Sequence, residues 1–257
     1  MWKTQVIIAA AGSGTRFRSR VPKPFVLLKG KALIARSLAV FQRSKAIDSV
    51  IVVGHKDYLG RFEVLRRRFK KIRRVVAGGD TRAASVKCAL RALDADTDIV
   101  LVHDAARPLI DTAMVERLVR ALLKHKAAIL GVPVKPTVKM VGSSVGKYKT
   151  FLTAENSFPT QQRRYSDRRE EFSCKTLFVR QTLPRAALWE AQTPQGFHKD
   201  ILVRAHGRAF KGDATDDAMQ VERMGVMVKV VMGDYRNIKI TTPEDLAIAG
   251  VLIKGKT

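Results

Sequence analysis

Short apolar runs rich in β-branched residues alternate with segments of helical periodicity along most of this chain. The first strand is predicted over Gln5–Ala10, and a helix containing Leu33, Leu38 and Phe41 follows it. Strands that are joined by helices in this way form a mostly parallel sheet covered on both faces. The sequence therefore predicts an α/β fold with a Rossmann-like, doubly wound sheet.

The same alternation continues through the first half of the chain and returns towards the carboxyl terminus. Further strands are predicted at Ser49–Val53, Arg74–Ala77, Ile99–His103, Ala127–Val134, Met227–Met232 and Asn237–Ile240. Further helices are predicted at Tyr58–Phe69, Arg82–Leu93, Thr112–Lys126, Lys199–Arg208 and from Thr242 onward. At the start of the last helix, Thr242 is the expected cap, Pro243 the first helical residue and Asp245 the capping-box partner.

The middle of the chain breaks this pattern. Residues 140–185 are rich in Gly, Ser, Thr, Asn and Pro, and they keep no helical periodicity for long. Such a segment is typical of an insertion rather than of another layer of the sheet. We expect a single domain over residues 1–257, with an inserted β-arm over residues 136–186 that protrudes from it.

The charge of the chain points to anionic ligands. Lys and Arg number 48 against 23 Asp and Glu, which gives a formal net charge of +25. Such a field attracts nucleotides, phosphorylated metabolites and nucleic acid without choosing among them. The densest basic stretch is Arg61–Arg74, which we interpret as a solvated helix face, with a nucleic-acid surface as the less favoured alternative.

Composition excludes several other classes of protein. The two cysteines, Cys88 and Cys174, cannot build a Cys-rich metal cluster or a dense disulfide framework. They suggest a reducing compartment, and we expect a cytoplasmic protein. The longest apolar runs, such as Ala127–Val134, are far too short to cross a bilayer, so no membrane association is expected.

The loop after the first strand reads AAAGSGTRF over residues 9–17. Ligands of doubly wound sheets bind beyond the carboxyl ends of the strands, where this loop begins. Its small residues let backbone N–H groups approach a phosphate chain closely. The loop is not a dinucleotide fingerprint, because Phe17 stands where a third glycine is needed, and it lacks the Gly-Lys-Ser/Thr of a P-loop. Taken alone, it is equally compatible with a glycine-rich turn.

Two cations beside this loop favour a site for a polyanion. Arg16 lies within the loop, and Lys23 stands between Pro22 and Pro24. The prolines restrict the backbone and so hold the lysine ammonium in place. The structural alternative is two solvated cations in a chain that is rich in them.

Eight segments in order then carry a family resemblance: AAAGSGTRF (9–17), PKPF (22–25), GGDTRAAS (78–85), VHDAARP (102–108), PVKPTVK (133–139), TLPRAALWEAQTPQGF (182–197), ATDDA (214–218) and NIKITTPEDLAIA (237–249). Over nearly its whole length the chain resembles the 2-C-methyl-D-erythritol 4-phosphate cytidylyltransferases, which use CTP in non-mevalonate isoprenoid biosynthesis. The resemblance implies a sheet of the nucleotide-diphospho-sugar transferase type and a homodimer whose arms complete the neighbour's site. It also implies Mg²⁺ held mainly by the triphosphate, with no metal ligand from the protein.

The implied reaction transfers CMP from CTP to 2-C-methyl-D-erythritol 4-phosphate and releases pyrophosphate. The implied catalytic residues, which would grip the triphosphate and the reacting phosphates, are Arg16, Lys23 and Lys239. The implied nucleotide-binding residues are Ala10, Ala11, Gly12, Gly79, Asp80, Ser85, Asp104 and Ala105. The residues implied to bind the methylerythritol phosphate are Arg107, Thr137, Arg185 and Thr215.

Structural roles compete with some of these assignments. Asp104 could cap the helix after the fourth strand, and Thr215-Asp216 could cap another helix. His103 invites a metal or base role, but we expect it to satisfy local hydrogen bonds. Trp189 and Phe197 are expected in the core.

Two departures from the family pattern concern the arm. Pro136 stands where the family usually has Asp, and the stretch between Lys139 and Arg185 is longer than the resemblance implies.

Two other functions stay open. A ribitol-5-phosphate cytidylyltransferase shares the loop, the lysine and the sheet, although the segment HDAARP at 103–108 favours the methylerythritol enzyme. A nucleic-acid-binding protein on this scaffold would use the charge of +25, bind with steep salt dependence and release no pyrophosphate.

Overall fold

The structure is a computed structural model that describes residues 2–12, 17, 21–142, 177–210, 212 and 214–254. The chain divides into two compact units. The first unit consists of Met1–Val132, Ala191–Ala209 and Ala214–Thr257, and the second of Pro133–Glu190 and Phe210–Asp213. Within the described ranges, no helix is both long and apolar enough to cross a membrane.

The order of elements follows the predicted alternation. The strands are β1 (Thr4–Ala10), β2 (Leu27–Leu28), β3 (Lys31–Ala32), β4 (Ser49–Gly54), β5 (Ile72–Ala77), β6 (Ile99–Asp104), β7 (Ala127–Pro133), β8 (Lys139–Gly142), β9 (Phe178–Thr182), β10 (Trp189–His198) and β11 (Lys229–Met232). The helices are α1 (Leu33–Arg43), α2 (Leu59–Arg68), α3 (Arg82–Leu90), α4 (Thr112–Leu122), α5 (Lys199–Gly207), α6 (Asp217–Glu222) and α7 (Pro243–Lys254).

A seven-stranded sheet has the order β11-β7-β10-β6-β1-β4-β5. β1 pairs in parallel with β4 and β6, β4 with β5, and β7 with β11, whereas β10 is antiparallel to β6. The predicted mostly parallel sheet is therefore confirmed. Its central strands are continuous apolar runs because they are buried on both sides, as a doubly covered sheet requires.

Helices cover both faces of this sheet. Val6 and Ile8 of β1 belong to the apolar cluster that includes Leu38 of α1. Ile7, between them, belongs to the cluster that includes Val86 of α3. Successive side chains of a strand point to opposite faces, so the two clusters are the two layers of a doubly wound fold.

The last helix begins as the sequence predicts. Thr242 N donates a hydrogen bond of 2.9 Å to the Asp245 carboxylate, and Asp245 N donates one of 3.4 Å to Thr242 Oγ1. These reciprocal bonds are the capping box. Pro243 is the first residue of α7. The box fixes the end of the segment that carries Lys239.

The prediction of a strand over Asn237–Ile240 is wrong, because these residues form an irregular segment. Asn237 is fully buried, and its carbonyl accepts a 2.7 Å hydrogen bond from Arg107 Nη1. Ile240 N donates to Ala106 O at 2.9 Å. Partners distant in sequence thus satisfy this backbone in place of a neighbouring strand.

The prediction for two aromatic side chains is half right. Phe197 is fully buried in the core, as expected. Trp189 is 44% exposed, so its predicted core position is wrong. Apolar character alone does not reveal whether anything covers the end of a strand.

In the second unit, β8 and β9 form a two-stranded antiparallel ribbon. Lys139 is paired with Thr182, and Gly142 with Phe178. This ribbon belongs to the predicted arm. Residues 143–176 of the arm lie outside the described residues.

Candidate active site

A cleft of about 570 Å³ lies in the first unit, beyond the carboxyl ends of β1, β4, β5 and β6. The fold brings the loops after these strands together because parallel strands end at the same edge of the sheet. The predicted nucleotide-binding residues all line this cleft: Ala10, Ala11, Gly12, Gly79, Asp80, Ser85, Asp104 and Ala105. Two of the predicted catalytic cations, Lys23 and Lys239, line it as well.

Small residues let two loops approach each other closely at the floor of the cleft. A Cβ atom on Gly78 would lie 2.4 Å from Ala11 Cβ and 2.7 Å from Ser85 Oγ. A Cβ atom on Gly79 would lie 2.7 Å from Ala84 Cβ. Any side chain at Gly78 would therefore push the β5–α3 loop away from the glycine-rich loop that follows β1.

The β5–α3 loop is also fixed by hydrogen bonds. Thr81 caps α3, since its hydroxyl accepts a 3.0 Å bond from Ala84 N. Ser85 Oγ lies 2.9 Å from Thr81 O and 3.1 Å from Gly79 O. The loop thus presents a preformed surface of backbone groups at the N-terminus of a helix, a place that favours anions.

Asp104 ends β6 and places its carboxylate at the edge of the cleft. Lys239 Nζ lies 2.6 Å from Asp104 Oδ2, and Arg82 Nε lies 3.4 Å from Oδ1. The suggestion that Asp104 caps the next helix is wrong, because Asp111 caps α4. Asp104 instead holds two cations that approach it from different parts of the chain.

These ion pairs keep the groups charged. Burial alone would raise the pKa of the Asp104 carboxyl, but Arg82 and Lys239 outweigh it and hold that pKa well below its ordinary value. Burial alone would lower the pKa of Arg82, but Asp217 and Asp104 outweigh it and raise that pKa above its ordinary value. Asp104 and Arg82 therefore stay charged near neutral pH and act at the cleft as fixed charges.

His103 is fully buried and satisfies local hydrogen bonds, as the sequence analysis expects. Its Nε2 lies 3.2 Å from Arg107 O, and its Nδ1 lies 3.2 Å from Thr193 Oγ1. Thr193 Oγ1 also accepts a 3.1 Å bond from Asp104 N. Burial lowers the pKa of His103 to about 4, so the ring is neutral at physiological pH. It stabilises the loop after β6 and has no ring nitrogen left for a metal.

Two predicted substrate-binding residues of the first unit are not part of the cleft lining. Arg107 is buried, and its guanidinium donates to Asn237 O at 2.7 Å and Ala191 O at 3.1 Å. Thr215 is exposed, and its hydroxyl lies 3.7 Å from Met219 Sδ.

The remaining predicted residues lie elsewhere. Thr137 and Arg185 belong to the second unit, where Arg185 Nη1 donates to Lys135 O at 2.9 Å. Arg16 lies outside the described residues.

The suggested cap at Asp216 is confirmed, because its carboxylate accepts a 2.9 Å bond from Met219 N at the start of α6.

Among the residues that line the cleft, His55, Lys56 and Arg82 were not predicted from the sequence. Arg82 could have been found, since it falls within the family-like segment 78–85. His55 and Lys56 directly follow β4, so their position at a strand end was the available signal.

The fold is a doubly wound sheet whose carboxyl edge holds a glycine-lined cleft of about 570 Å³ that Lys23 and Lys239 line. This combination is typical of a nucleotidyltransferase. A family model described as 2-C-methyl-D-erythritol 4-phosphate cytidylyltransferase matches residues 4–150 and 172–255. The chain belongs to this family.

Curated relatives and solved structures agree. The 2-C-methyl-D-erythritol 4-phosphate cytidylyltransferase of Pelotomaculum thermopropionicum is 38% identical over 261 residues, covering 100% of this chain and 96% of that protein. That of Geobacillus kaustophilus is 36% identical, covering 98% and 97%. The crystal structure of 4-diphosphocytidyl-2C-methyl-D-erythritol synthase from Anaerococcus prevotii is similar with a TM-score of 0.78 at 29% identity, covering 98% and 96%.

Proposed function

We propose that this chain transfers CMP from CTP to 2-C-methyl-D-erythritol 4-phosphate, giving 4-diphosphocytidyl-2-C-methyl-D-erythritol and pyrophosphate in non-mevalonate isoprenoid biosynthesis. The observation that carries the proposal is the presence of Lys23, Lys239 and the glycine-lined floor in one cleft. The acceptor is inferred from the relatives, which are 2-C-methyl-D-erythritol 4-phosphate cytidylyltransferases.

The floor of the cleft suits a pyrimidine. Ala11, Gly79 and Ser85 bring backbone groups close together around a small space. Such a surface can hydrogen-bond the edge of cytosine and leaves little room for a purine. Asp80, which is exposed beside it, is available to the amino group of the base.

The chemistry needs charge stabilisation more than proton transfer. A phosphate oxygen of the acceptor attacks the α-phosphorus of CTP, and the bond from that phosphorus to the β-phosphate oxygen breaks as pyrophosphate leaves. Because a phosphate monoester has a second pKa of about 6, the nucleophile is already anionic near neutral pH. No general base is required, which agrees with the buried, hydrogen-bonded state of His103.

Lysines at the cleft would carry the electrostatic part of catalysis. Two polyanions must meet, and charge builds up on the five-coordinate phosphorus. Positive groups that are held in place stabilise this charge without having to reorganise. Lys239, which is 40% exposed and anchored by Asp104, and Lys23 in its proline-flanked turn are suited to this role. Arg16 stays a prediction.

A divalent cation fits the cleft only as a companion of the nucleotide. Within the part of the chain that the structure describes, no three His, Cys, Asp or Glu residues lie together as a metal site. Both oxygens of Asp104 are engaged by cations, which leaves Asp80 as the other carboxylate of the lining. Mg²⁺ commonly binds through substrate phosphates with few protein ligands. When bound, it would neutralise charge on the triphosphate.

The arm would complete the site of a second copy in a homodimer. Thr137 and Arg185 lie at the base of the β8–β9 ribbon in the second unit. Val141 and Val179, which are paired across this ribbon, are exposed apolar side chains. Grouped apolar surface of this kind is typical of an interaction surface.

The reaction would take place in the cytoplasm. Cys88 carries a free thiol, as expected of a protein from a reducing compartment.

Pyrophosphate release tests the proposal directly. The protein is incubated with CTP and Mg²⁺ plus either methylerythritol phosphate or ribitol 5-phosphate, and ATP replaces CTP as a control for the base. We expect pyrophosphate to be released only when CTP is combined with methylerythritol phosphate. Equal or faster release with ribitol 5-phosphate would favour the sister activity, and silence with both acceptors would refute transfer.

A further inference from the structure

A chain of ionic contacts leads from the cleft into the protein interior. The guanidinium of Arg82 lies between two carboxylates, with Nε 3.4 Å from Asp104 Oδ1 and Nη1 2.7 Å from Asp217 Oδ2. Asp104 faces the cleft, whereas Asp217 lies behind it on α6 with a side chain that is 1% exposed. Arg82 therefore joins the cleft to a buried negative charge.

Asp217 is held firmly in place. Its Oδ1 lies 3.0 Å from Nε2 of the buried His206, and its backbone N donates a 3.2 Å bond to Gln195 Oε1. A buried carboxylate is costly unless it is paired and hydrogen-bonded. Because its second oxygen is directed at Arg82, this buried charge fixes the position of a residue in the cleft.

The two cations on Asp104 differ in how they are held. Lys239 has a side chain that is 40% exposed, and its ammonium pairs with Asp104 at 2.6 Å. Arg82 has a side chain that is 29% exposed and is bound by two carboxylates. A triphosphate entering the cleft would compete with Asp104 for the more exposed lysine.

We propose that Arg82 is a positioning residue for nucleotidyl transfer, and that Asp217 holds it on Asp104 so that Lys239 can turn to the phosphates. The inference rests on the proposed function and names a residue for that same site. While Arg82 stays on Asp104, the departure of Lys239 does not leave a buried carboxylate without a partner. Without Arg82, that departure would expose the full cost of an unpaired buried charge, so Lys239 would stay on Asp104.

Asp217 has a second effect in this arrangement. An arginine that is bound only by Asp104 could itself swing onto the triphosphate, because guanidinium groups bind phosphate well. The buried carboxylate on α6 opposes this movement. Asp217 therefore acts on the reaction through Arg82, without touching either substrate.

The first experiment compares Arg82→Gln, Asp217→Asn and the double variant by steady-state pyrophosphate release. We expect each single variant to lower kcat by about tenfold or more, the scale seen when a residue that orients another group is removed. The double variant should be no worse than Arg82→Gln, because Asp217 acts through Arg82. Losses that multiply in the double variant would overturn the proposal.

A matched control separates positioning from simple stability. Asp216→Ala removes the cap of the same helix and one hydrogen bond from Gln195, but it keeps the Asp217 carboxylate that pairs with Arg82. We expect a lower Tm for this variant and a kcat close to that of the wild type. If Asp216→Ala lowered kcat as much as Asp217→Asn at a similar loss of Tm, the effect would be structural and the proposal wrong.

Calorimetric titration with CTP gives a readout that does not depend on turnover. Lys239→Ala should weaken CTP binding clearly in the wild-type background and much less in the Arg82→Gln background, where the lysine stays on Asp104. Equal weakening in both backgrounds would refute the positioning role. If the Lys239→Ala effect on CTP binding differed between the two backgrounds as expected, but the wild-type protein released no pyrophosphate, the proposed function would be refuted and the positioning role would remain.

Discussion

The cleft and the basic edge of the sheet hold positive charge in opposite ways. We define the basic edge as the exposed cations of α2 and β5 and the turn between them: Arg61, Arg66, Arg67, Arg68, Lys70, Arg73 and Arg74. Some of them line a groove of about 440 Å³ at the amino-terminal end of β5. Among the described residues, fewer cations line the cleft, but buried carboxylates fix two of them, Arg82 and Lys239, at short distances.

This difference shows that placement matters more than the number of charges. At the basic edge, Arg66 lies 3.4 Å from Glu63 and Arg74 lies 3.5 Å from Asp94, with arginine side chains that are half exposed. Exposed pairs of this kind contribute little, since water and salt screen them. The net charge of +25 can draw anions towards the protein, but fixed groups are needed to act on a phosphorus atom. The exposure of α2 agrees with a solvated helix face.

The sharpest test of this comparison replaces one lysine in each region. Lys239→Ala should lower kcat by about 100-fold or more, because it removes a preorganised positive charge. Lys23→Ala should have a similar effect, whereas Lys70→Ala on the basic edge should leave kcat close to wild type. Steady-state pyrophosphate release measures all three, and near-normal turnover of both cleft variants would contradict the mechanism.

A pair of glycine substitutions extends the comparison to shape. Gly78→Ala should raise the KM for CTP by about tenfold, because its Cβ would collide with Ala11 and Ser85 and lose binding of the order of one hydrogen bond. Gly60→Ala in α2 is the control, since a Cβ there meets nothing within 4 Å. An unchanged KM for Gly78→Ala would mean that the floor of the cleft does not bind the nucleotide.

Acid stability should distinguish the interior beneath the cleft from the basic edge. Burial lowers the pKa of His103 from 6.5 to about 4, so between these values the unfolded chain binds the proton better than the folded one. Stability should therefore fall as the pH is lowered through this window, by at most about 1.4 kcal/mol per pH unit from this group. The lowered pKa of Asp104 also stabilises the fold, but this contribution is lost only as the pH falls below the ordinary value of 3.8, outside this window.

Urea unfolding at several pH values measures this effect. His103→Gln should flatten the pH dependence, whereas His125→Gln, at an exposed position, should not. An unchanged slope in His103→Gln would show that this histidine is not held neutral in the fold.

The smallest effect is expected at the basic edge itself. Replacing Arg67, Lys70 and Arg73 with Gln should change kcat/KM by less than about twofold at physiological salt, since screening limits long-range attraction. Non-specific DNA binding, followed by fluorescence anisotropy, should weaken and lose part of its salt dependence. If the wild-type protein bound DNA tightly and this variant did not, the alternative function in nucleic-acid binding would be favoured instead.

Sequence patterns anticipated most of the frame that builds the site. The capping box at Thr242 and Asp245 was predictable because its partners are three residues apart and its geometry is local. The loops near Ala11 and Gly78 were placed correctly in one cleft, because parallel strands end at one edge. The errors fell where distant groups decide the outcome, as at Asn237, whose carbonyl is bonded by an arginine 130 residues away.

By itself, the sequence determined the doubly wound sheet. Strands that are buried on both faces need apolar side chains at successive positions, and these runs alternate with amphipathic helices along the chain. It also determined which loops supply the cleft. The tertiary structure alone decided that Arg82 stands between Asp104 and a buried Asp217, and that Arg107 lies buried away from the cleft lining. The physical reason is that hydrophobic periodicity is a local property, whereas the partner of a buried charge is chosen by packing between elements far apart in the chain.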